Sequence, residues 1–286
     1  MKVSSENGSH FEFLVQPHHM KEFDEGDSPK VIFAGDRQIA VDVLRHIKND
    51  VDIVALLLPP EETGSHSDEL IRECEALAPK YIIRPEGEYP DSLISTLEDK
   101  NPDLLLSVHY SEILPDAVLD IPTYDAVNLH PSFLPYNRGW HTPSWAIFEN
   151  TKFGATLHVM DERLDEGAII DQIEVDIEPD DTADSLYQKA MDAELRLFVR
   201  QWPYLKHGTY STSDQHPGEG TTHAKRELEA IREIDLADRM TAEELLRKLR
   251  ALSTSRWGEA AYFEVDGTEY LVRVEINPRK LDQDEA

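Results

Sequence analysis

An asparagine, a histidine and an aspartate fall where their side chains could act on a carbonyl group. Asn128 and His130 end the apolar segment "AVNLH", which has the composition of a short strand. Residues i and i+2 of a strand point to the same side. Asp165 lies in "DERLDEG", a turn between two later strands, from which its carboxylate could approach the imidazole. An amide suits a developing oxyanion and an imidazole backed by a carboxylate suits proton transfer, so these residues predict acyl transfer to a nucleophile that the substrate supplies.

Each of the three residues also has an ordinary structural interpretation. An asparagine at a strand end commonly closes a turn, and an aspartate close to a glycine is frequent in turns. A histidine beside a loop is often only hydrogen-bonded in place. The next nine residues, "PSFLPYNRG", contain two prolines and a glycine, which favour a rigid loop that presents polar groups. The spacing alone leaves the catalytic and the structural interpretations open.

Other kinds of active site find less support in the sequence. The turn at Gly35 has one glycine where the dinucleotide fingerprint needs three. No metal-site spacing of cysteine, histidine and carboxylate is present, and His18 and His19 lie in a polar stretch. Cys74 falls within a helical pattern, and no serine occupies a nucleophile elbow. We therefore expect no nicotinamide cofactor, no metal ion and no covalent nucleophile.

Strand and helix patterns alternate on both sides of this loop and predict the sheet that positions it. Continuous apolar runs favour buried parallel strands, and here they alternate with helical patterns at the spacing of βαβ units. We expect an α/β fold with a doubly wound, mostly parallel Rossmann-like sheet, in which Asn128 and His130 border the ligand crevice at the carboxyl ends of the strands. The predicted strands are 31–33, 51–58, 81–84, 103–110, 126–130, 154–161 and 167–177, and helices are expected near 39–44, 68–78 and 91–99.

Composition changes along the chain predict four parts. Residues 1–28 form an N-terminal extension, and 29–206 form the main domain, whose last helix Thr182 is expected to cap. Residues 207–224 are polar and glycine-rich, which is typical of a linker or a lid. Residues 225–286 form a small C-terminal α+β region, with the helix "AEELLRKLRAL" and a hairpin turning at Asp266-Gly267.

The charge balance excludes some partners. The 286 residues include 57 acidic and 28 basic ones, a formal net charge of −29, which disfavours binding to nucleic acid. Two explanations of this acidity stay open, a high-salt cytoplasm and an acidic surface in ordinary salt. The longest apolar run is too short to span a membrane, and the N-terminus lacks the apolar core of a signal peptide. The single cysteine fits a cytoplasmic protein.

Three segments resemble those of the folate-dependent formyltransferases. "NLHPSFLPYNRG" is similar to the family signature, with Phe133 where leucine is usual, and "KVIFAGDRQIAVDVL" resembles the family's first strand and helix. "GATLHVMDERLDEGAIIDQ" resembles the segment that bears the family's catalytic aspartate. The resemblance covers residues 29–206 and implies the formyltransferase fold. It also implies that Asn128, His130 and Asp165 move a formyl group from N10-formyltetrahydrofolate to an amine.

The same resemblance implies where the folate lies. The backbones of Glu112, Leu114, Glu162 and Asp165 would meet the polar edge of the pterin, and Ile113 would supply an apolar contact. An alternative is that Ile113 and Leu114 only pack against the next helix.

The short, non-basic C-terminal region is similar to that of sugar-nucleotide N-formyltransferases. This implies an acceptor amine on a nucleotide-linked amino-dideoxy sugar, and a homodimer that pairs through the C-terminal hairpin. "PYNRGWHTPSW" should border the acceptor, through Tyr136, Asn137, Arg138 and Trp140, unless Arg138 only braces the loop. A methionyl-tRNA formyltransferase and a non-catalytic folate-binding module are the alternatives, with glycinamide-ribonucleotide transformylases ranking lower.

Overall fold

The predicted elements form one large sheet with helices and a small C-terminal hairpin. The computed structural model describes residues 28–85, 87–216 and 218–279, so nearly all of the predicted N-terminal extension and the last seven residues lie outside the described part. The strands are β1 Lys30–Gly35, β2 Asp52–Leu57, β3 Ile82–Ile83, β4 Leu104–Val108, β5 Ala126–His130, β6 Arg138–Gly139, β7 Gly154–Val159, β8 Ile169–Glu174, β9 Thr222–His223, β10 Ala261–Val265 and β11 Thr268–Val272. The α-helices are α1 Arg37–Ile47, α2 Ser67–Glu73, α3 Asp91–Glu98, α4 Asp116–Leu119, α5 Thr142–Glu149, α6 Ala183–Leu205 and α7 Ala242–Ala251.

The order of the strands creates a crevice at the carboxyl ends of the central strands. Seven strands run in the order β3-β2-β1-β4-β5-β7-β8, and the first five of these pair in parallel. Strand β7 pairs antiparallel with both β5 and β8, so it alone runs against the other six strands, which gives the mostly parallel sheet that the sequence predicts. The chain moves outward from β1 to β3 and then returns to β4 on the other side of β1. This reversal places the ligand crevice of such folds at the carboxyl ends of β1 and β4.

Helices cover both faces of the sheet. On one face, α1 and α6 pack Ile39, Leu44 and Phe198 against Phe33 and Leu106, all of them fully or almost fully buried. On the other face, α3 and α4 contribute to a second apolar cluster. Because both faces are covered, the central strands are continuous apolar runs rather than alternating ones. None of the helices in the described ranges is long and apolar enough to cross a membrane.

One predicted helix is shorter than the sequence suggests. The pattern predicts a helix over 68–78, but α2 ends at Glu73. Pro79 begins a short 3₁₀ helix, and Ala78 before it has an extended backbone. A residue that precedes proline is disfavoured in the α conformation, which prevents the helix from continuing up to the proline.

The C-terminal region packs its helix against a hairpin. The predicted turn is confirmed, because Asp266 and Gly267 connect β10 to β11 with positive φ angles of 50° and 75°. Ala261 and Leu249 are buried in a small apolar cluster there.

The segment predicted as a linker or lid, 207–224, pairs with the main domain: β9 lies beside β6, and Ser213 bridges Ile169.

Helix α6 is expected to lose stability when its capping residue is removed. The Thr182 hydroxyl accepts from Ser185 N at 3.3 Å, and the Ser185 hydroxyl accepts from Thr182 N at 3.0 Å. We expect Thr182→Ala to lower the free energy of unfolding by about 1 kcal/mol, measured by urea denaturation. Thr182→Ser keeps the hydroxyl and serves as the control. Equal losses in both variants would contradict the capping role.

Candidate active site

Strand pairing brings Asn128 and His130 next to a second histidine. Asn128 lies opposite His158 of β7, and His130 lies opposite Thr156. The amide Nδ2 of Asn128 is 3.2 Å from Nε2 of His158. The rings of His130 and His158 meet edge to face with their centres 6.2 Å apart. Strands β5 and β7 therefore bring one amide and two imidazoles close together.

Asp165 reaches this pair from the loop between β7 and β8. Its Oδ2 accepts a hydrogen bond from Gly139 N at 2.8 Å and lies 3.6 Å from Nε2 of His130. Its Oδ1 lies 3.5 Å from Nε2 of His158. The carboxylate is almost completely buried. The structure thus brings together the three residues that the sequence singles out.

Two glycines allow close backbone contacts around the site. A Cβ on Gly167 would lie 1.9 Å from the carbonyl oxygen of Val159, and one on Gly139 would lie 2.3 Å from that of His223. Gly139 also has a φ of +90°, which a side chain would disfavour. Glycine at these positions lets the Asp165 loop fold tightly onto the end of β7 and lets the segment after β5 lie close against β9.

The neighbours of the two imidazoles determine which ring nitrogen of each carries the proton. His158 Nδ1 is 2.8 Å from the carbonyl oxygen of Val159, which can only accept, so this nitrogen carries a proton. In a neutral ring, Nε2 of His158 then accepts from Asn128. His130 Nε2 faces the Asn137 carbonyl at 3.5 Å and the Asp165 carboxylate, so its proton belongs on Nε2. The Nδ1 lone pair of His130 is left to act as a base.

Burial and charge fix the ionisation states. Burial lowers the pKa of His130 below its usual range, and the Asp165 carboxylate offsets this only in part. Burial also opposes ionisation of Asp165, but the neighbouring imidazoles and the Gly139 N–H outweigh it and hold its pKa well below the ordinary range. At neutral pH, Asp165 is an anion and His130 is a neutral imidazole.

The residues predicted to meet folate border an open surface beside this cluster. Ile113 is 70% exposed, whereas Leu114 is buried and packs in the core beside α4. Glu112 is half-buried and Glu162 is exposed. Glu162 also lines a depression of about 510 Å³ between α4 and the loop after β7. Leu114 thus packs against the next helix, as the alternative interpretation expects, whereas Ile113 does not.

The residues predicted to meet the acceptor divide into two pairs. Asn137 is fully buried, and its amide donates to Thr151 Oγ1 at 2.9 Å. The Arg138 side chain, also buried, donates to Gln215 at 2.8 and 3.2 Å and to the carbonyl of Glu219 at 3.4 Å. These contacts match the alternative interpretation, in which Arg138 only braces the loop. Tyr136 and Trp140 are only half-buried and stay available at the surface of the loop.

The sequence patterns do not single out His158 or Gln215. His158 is one histidine within a strand, and only its pairing with Asn128 gives it significance. Gln215 lies in the segment predicted as a linker, yet its amide donates to the carbonyls of Asp165 and Gly167 at 2.8 and 2.9 Å. No group of three or more metal-binding side chains occurs within residues 28–85, 87–216 and 218–279.

Comparison with known families decides what kind of protein carries this site. A family model described as formyl transferase matches residues 31–201. The chain belongs to the formyl transferase family. A second model, the N-formyltransferase dimerization C-terminal domain, matches residues 227–278. The prediction of a formyl-transferring enzyme is confirmed.

Individual relatives include enzymes with different acceptors. The dTDP-4-amino-4,6-dideoxyglucose formyltransferase of Mycobacterium bovis is 36% identical over 178 residues, which cover 62% of this chain and 75% of that protein. The methionyl-tRNA formyltransferase of Geobacillus thermodenitrificans is 33% identical over 215 residues, which cover 70% of this chain and 66% of that protein. A solved 4-N formyltransferase from Francisella tularensis has a TM-score of 0.75 at 24% identity, covering 89% of this chain and 100% of that one. This structural similarity confirms the predicted fold.

Formyl transfer should slow as the pH falls through the pKa of His130. Burial lowers the pKa of His130 below the usual 6.5, so with the neutral imidazole as the base the acid limb of kcat/KM should have its midpoint below that value. Initial rates between about pH 5 and 8 at constant ionic strength measure this. A kcat/KM that rises as the pH falls would show that the imidazolium is the active form.

Proposed function

We propose that this formyltransferase moves the formyl group of N10-formyltetrahydrofolate to the amino group of a nucleotide-linked amino-dideoxy sugar. The observation that carries the proposal is the match of residues 227–278 to the N-formyltransferase dimerization domain. The identity of 36% with a sugar-nucleotide formyltransferase supports the same acceptor class. A cytoplasmic location belongs to the proposal, and the single cysteine is consistent with it.

The geometry of the site supports a division of roles among its residues. The bound folate supplies the formyl carbon to which the amine of the sugar adds. Asn128 donates one N–H to His158, and its second N–H can donate to the formyl oxygen as negative charge develops there. His130 can accept the proton of the attacking amine on Nδ1 and pass it to N10 of the folate as the bond between the formyl carbon and N10 breaks, which releases tetrahydrofolate. Asp165 faces the other nitrogen of His130 and so favours the tautomer that leaves Nδ1 unprotonated.

The surface beside the catalytic cluster fits a folate. Ile113 exposes an apolar side chain next to the buried Leu114, and a flat ring that covered it would remove this area from water. The loop that holds Glu162 and Asp165 lies against the catalytic pair and offers backbone polar groups there. We propose that Glu112, Ile113, Leu114, Glu162 and Asp165 hold the pterin.

The alternative acceptor, methionyl-tRNA, is less well supported. The match to the methionyl-tRNA formyltransferase covers 66% of that protein, and residues 227–278 match the N-formyltransferase dimerization domain. A formal net charge of −29 also repels a polyphosphate partner. A non-catalytic folate-binding module would not need a buried imidazole with its lone pair available, whereas the arrangement around His130 supplies one.

Loss of either catalytic side chain should slow the reaction without unfolding the protein. Asn128→Ala removes an oxyanion donor, which typically lowers kcat by about 10²–10³. We expect a fall of similar order for His130→Ala, measured as release of tetrahydrofolate with a nucleotide-linked amino sugar. Asn49→Ala, at an exposed turn, is the matched control and should keep the normal rate. A His130→Ala enzyme with near-normal kcat would refute the assignment.

A substrate panel tests the acceptor class. Formylated product should form with dTDP-4-amino-4,6-dideoxyglucose or another nucleotide-linked amino-dideoxy sugar, measured by mass spectrometry. Methionyl-tRNA and free amino sugars are the controls. Product from methionyl-tRNA and from none of the nucleotide sugars would replace the proposal with its alternative.

The C-terminal hairpin exposes side chains that a twofold partner could cover. Tyr270 and Leu271 point to opposite faces of the hairpin and are 48% and 44% exposed, and Trp257 nearby is 54% exposed. A two-stranded hairpin is marginal by itself, and only part of this one packs on α7. Together with the matched dimerization domain, this exposure supports a homodimer that pairs through the hairpin.

Charged substitutions in the hairpin should separate the two protomers. We expect the unaltered chain to have the mass of a dimer by light scattering, and the double variant Tyr270→Glu, Leu271→Glu to have that of a monomer. Tyr204→Glu, a similar change at a 52% exposed position on α6, should stay dimeric. A monomeric unaltered protein at micromolar concentration, in low and in molar salt, would contradict the homodimer.

A further inference from the structure

Four polar side chains beside the catalytic cluster form a connected chain. Arg37 Nη1 lies 3.4 Å from the hydroxyl of Tyr187, which lies 3.2 Å from Nδ1 of His109. His109 Nε2 lies 2.9 Å from each carboxylate oxygen of Glu194. We refer to these four residues as the Arg37 chain. None of them has a role in the mechanism above.

The Arg37 chain is consistent with a single set of hydrogen-bond directions. The guanidinium of Arg37 can only donate, so the Tyr187 oxygen accepts from it and the Tyr187 hydroxyl donates to His109 Nδ1. A neutral His109 then carries its proton on Nε2 and donates it to Glu194. Glu194 is completely buried. Every contact in the chain thereby joins a donor to an acceptor, which fixes the Tyr187 ring from the buried side.

The Arg37 chain lies at the reversal of strand order. Arg37 follows the end of β1 and His109 follows the end of β4, the two strands that flank the reversal. Val108 pairs with Leu129, so His109 comes level with His130 of the catalytic pair. Arg37 and His109 both adopt positive φ angles, 67° and 52°, which non-glycine residues seldom do. Strained backbone at both strand ends is a feature found more often at functional sites than elsewhere.

Arg37 has hydrogen-bond donors that the described residues do not use. Its one hydrogen bond there is to Tyr187, and no carboxylate of residues 28–85, 87–216 and 218–279 lies within ion-pair distance of it. The guanidinium also lies over the Tyr187 ring, 5.6 Å from its centre. Arg138, another arginine near the site, already donates to Gln215 and to a carbonyl group. Arg37 is therefore the better placed of the two for an anion in the crevice.

We propose that Arg37 binds the diphosphate of the acceptor, an inference that rests on the proposed function. The planar guanidinium suits bidentate contact with phosphate oxygens, and Tyr187 holds it from the other side. Strands β1 and β5 are separated by two strand spacings, about 10 Å, so a diphosphate at Arg37 would have its sugar ring between it and the catalytic pair. In a chain of net charge −29, a local cation offsets the repulsion of an anionic substrate.

Binding of nucleoside diphosphates tests this assignment without any catalytic step. The full chain is titrated with thymidine 5′-diphosphate and uridine 5′-diphosphate by calorimetry, with thymidine and uridine as phosphate-free probes. Arg37→Gln should weaken binding of the preferred diphosphate at least tenfold and leave the phosphate-free probe unchanged. Arg45→Gln, on the exposed side of the same helix, removes an equal charge and should bind like the unaltered protein.

A second variant keeps the test valid if Arg37→Gln does not fold. Arg37→Lys retains the charge but not the planar fork, so it should bind the diphosphate more weakly than the unaltered chain and more tightly than the glutamine variant. If a folded Arg37 variant binds the diphosphate with unchanged affinity, the proposed role of Arg37 is wrong. Turnover in the substrate panel would then still leave the proposed function standing. If the unaltered protein binds neither diphosphate, the inference is wrong, and turnover in the substrate panel decides separately whether the nucleotide-sugar acceptor stands.

Discussion

The buried carboxylate of Asp165 is the contact on which the arrangement of the site depends. It accepts from the Gly139 N–H and lies 3.6 and 3.5 Å from the imidazoles of His130 and His158. These partners come from the loop after β5, from the end of β5 and from β7. The Gly139 N–H and the Nε2 proton of His130 face the carboxylate, which would cost several kcal/mol if it were buried without them, so the loop after β5 and the end of β5 must close around it together.

Most of the surrounding structure can be understood as support for this contact. Gln215 donates to the backbone of the Asp165 loop and accepts from Arg138, and so ties the 207–224 segment to both loops. Thr221 accepts from Asn137 N at 3.0 Å. The segment with the composition of a linker therefore forms part of the wall of the site. Its polar, glycine-rich sequence fits this role, because such residues can follow another backbone closely.

The sequence predicts features that depend on local pattern. The continuous apolar strands, the Asp266-Gly267 turn and the i, i+2 placement of Asn128 and His130 follow from periodicities within a few residues. Contacts between distant segments leave no such pattern. Arg138 is predicted to border the acceptor because it lies in the signature, and no local pattern reveals that its side chain meets Gln215, 77 positions later. Arg37 is at the start of a helix, where a polar residue is common, and its position at the crevice follows only from the order of the strands in the sheet.

The position of the protons on the two imidazoles tests the role of Asp165 most directly. Nitrogen-15 NMR of histidine-labelled protein at neutral pH reports which ring nitrogen of each residue is protonated. With Asp165 present, His130 should be neutral with its proton on Nε2, and His158 should carry its proton on Nδ1. In Asp165→Asn, the His130 signals should shift toward a mixture of tautomers. Identical His130 signals in both proteins would contradict the claim that this carboxylate organises the site.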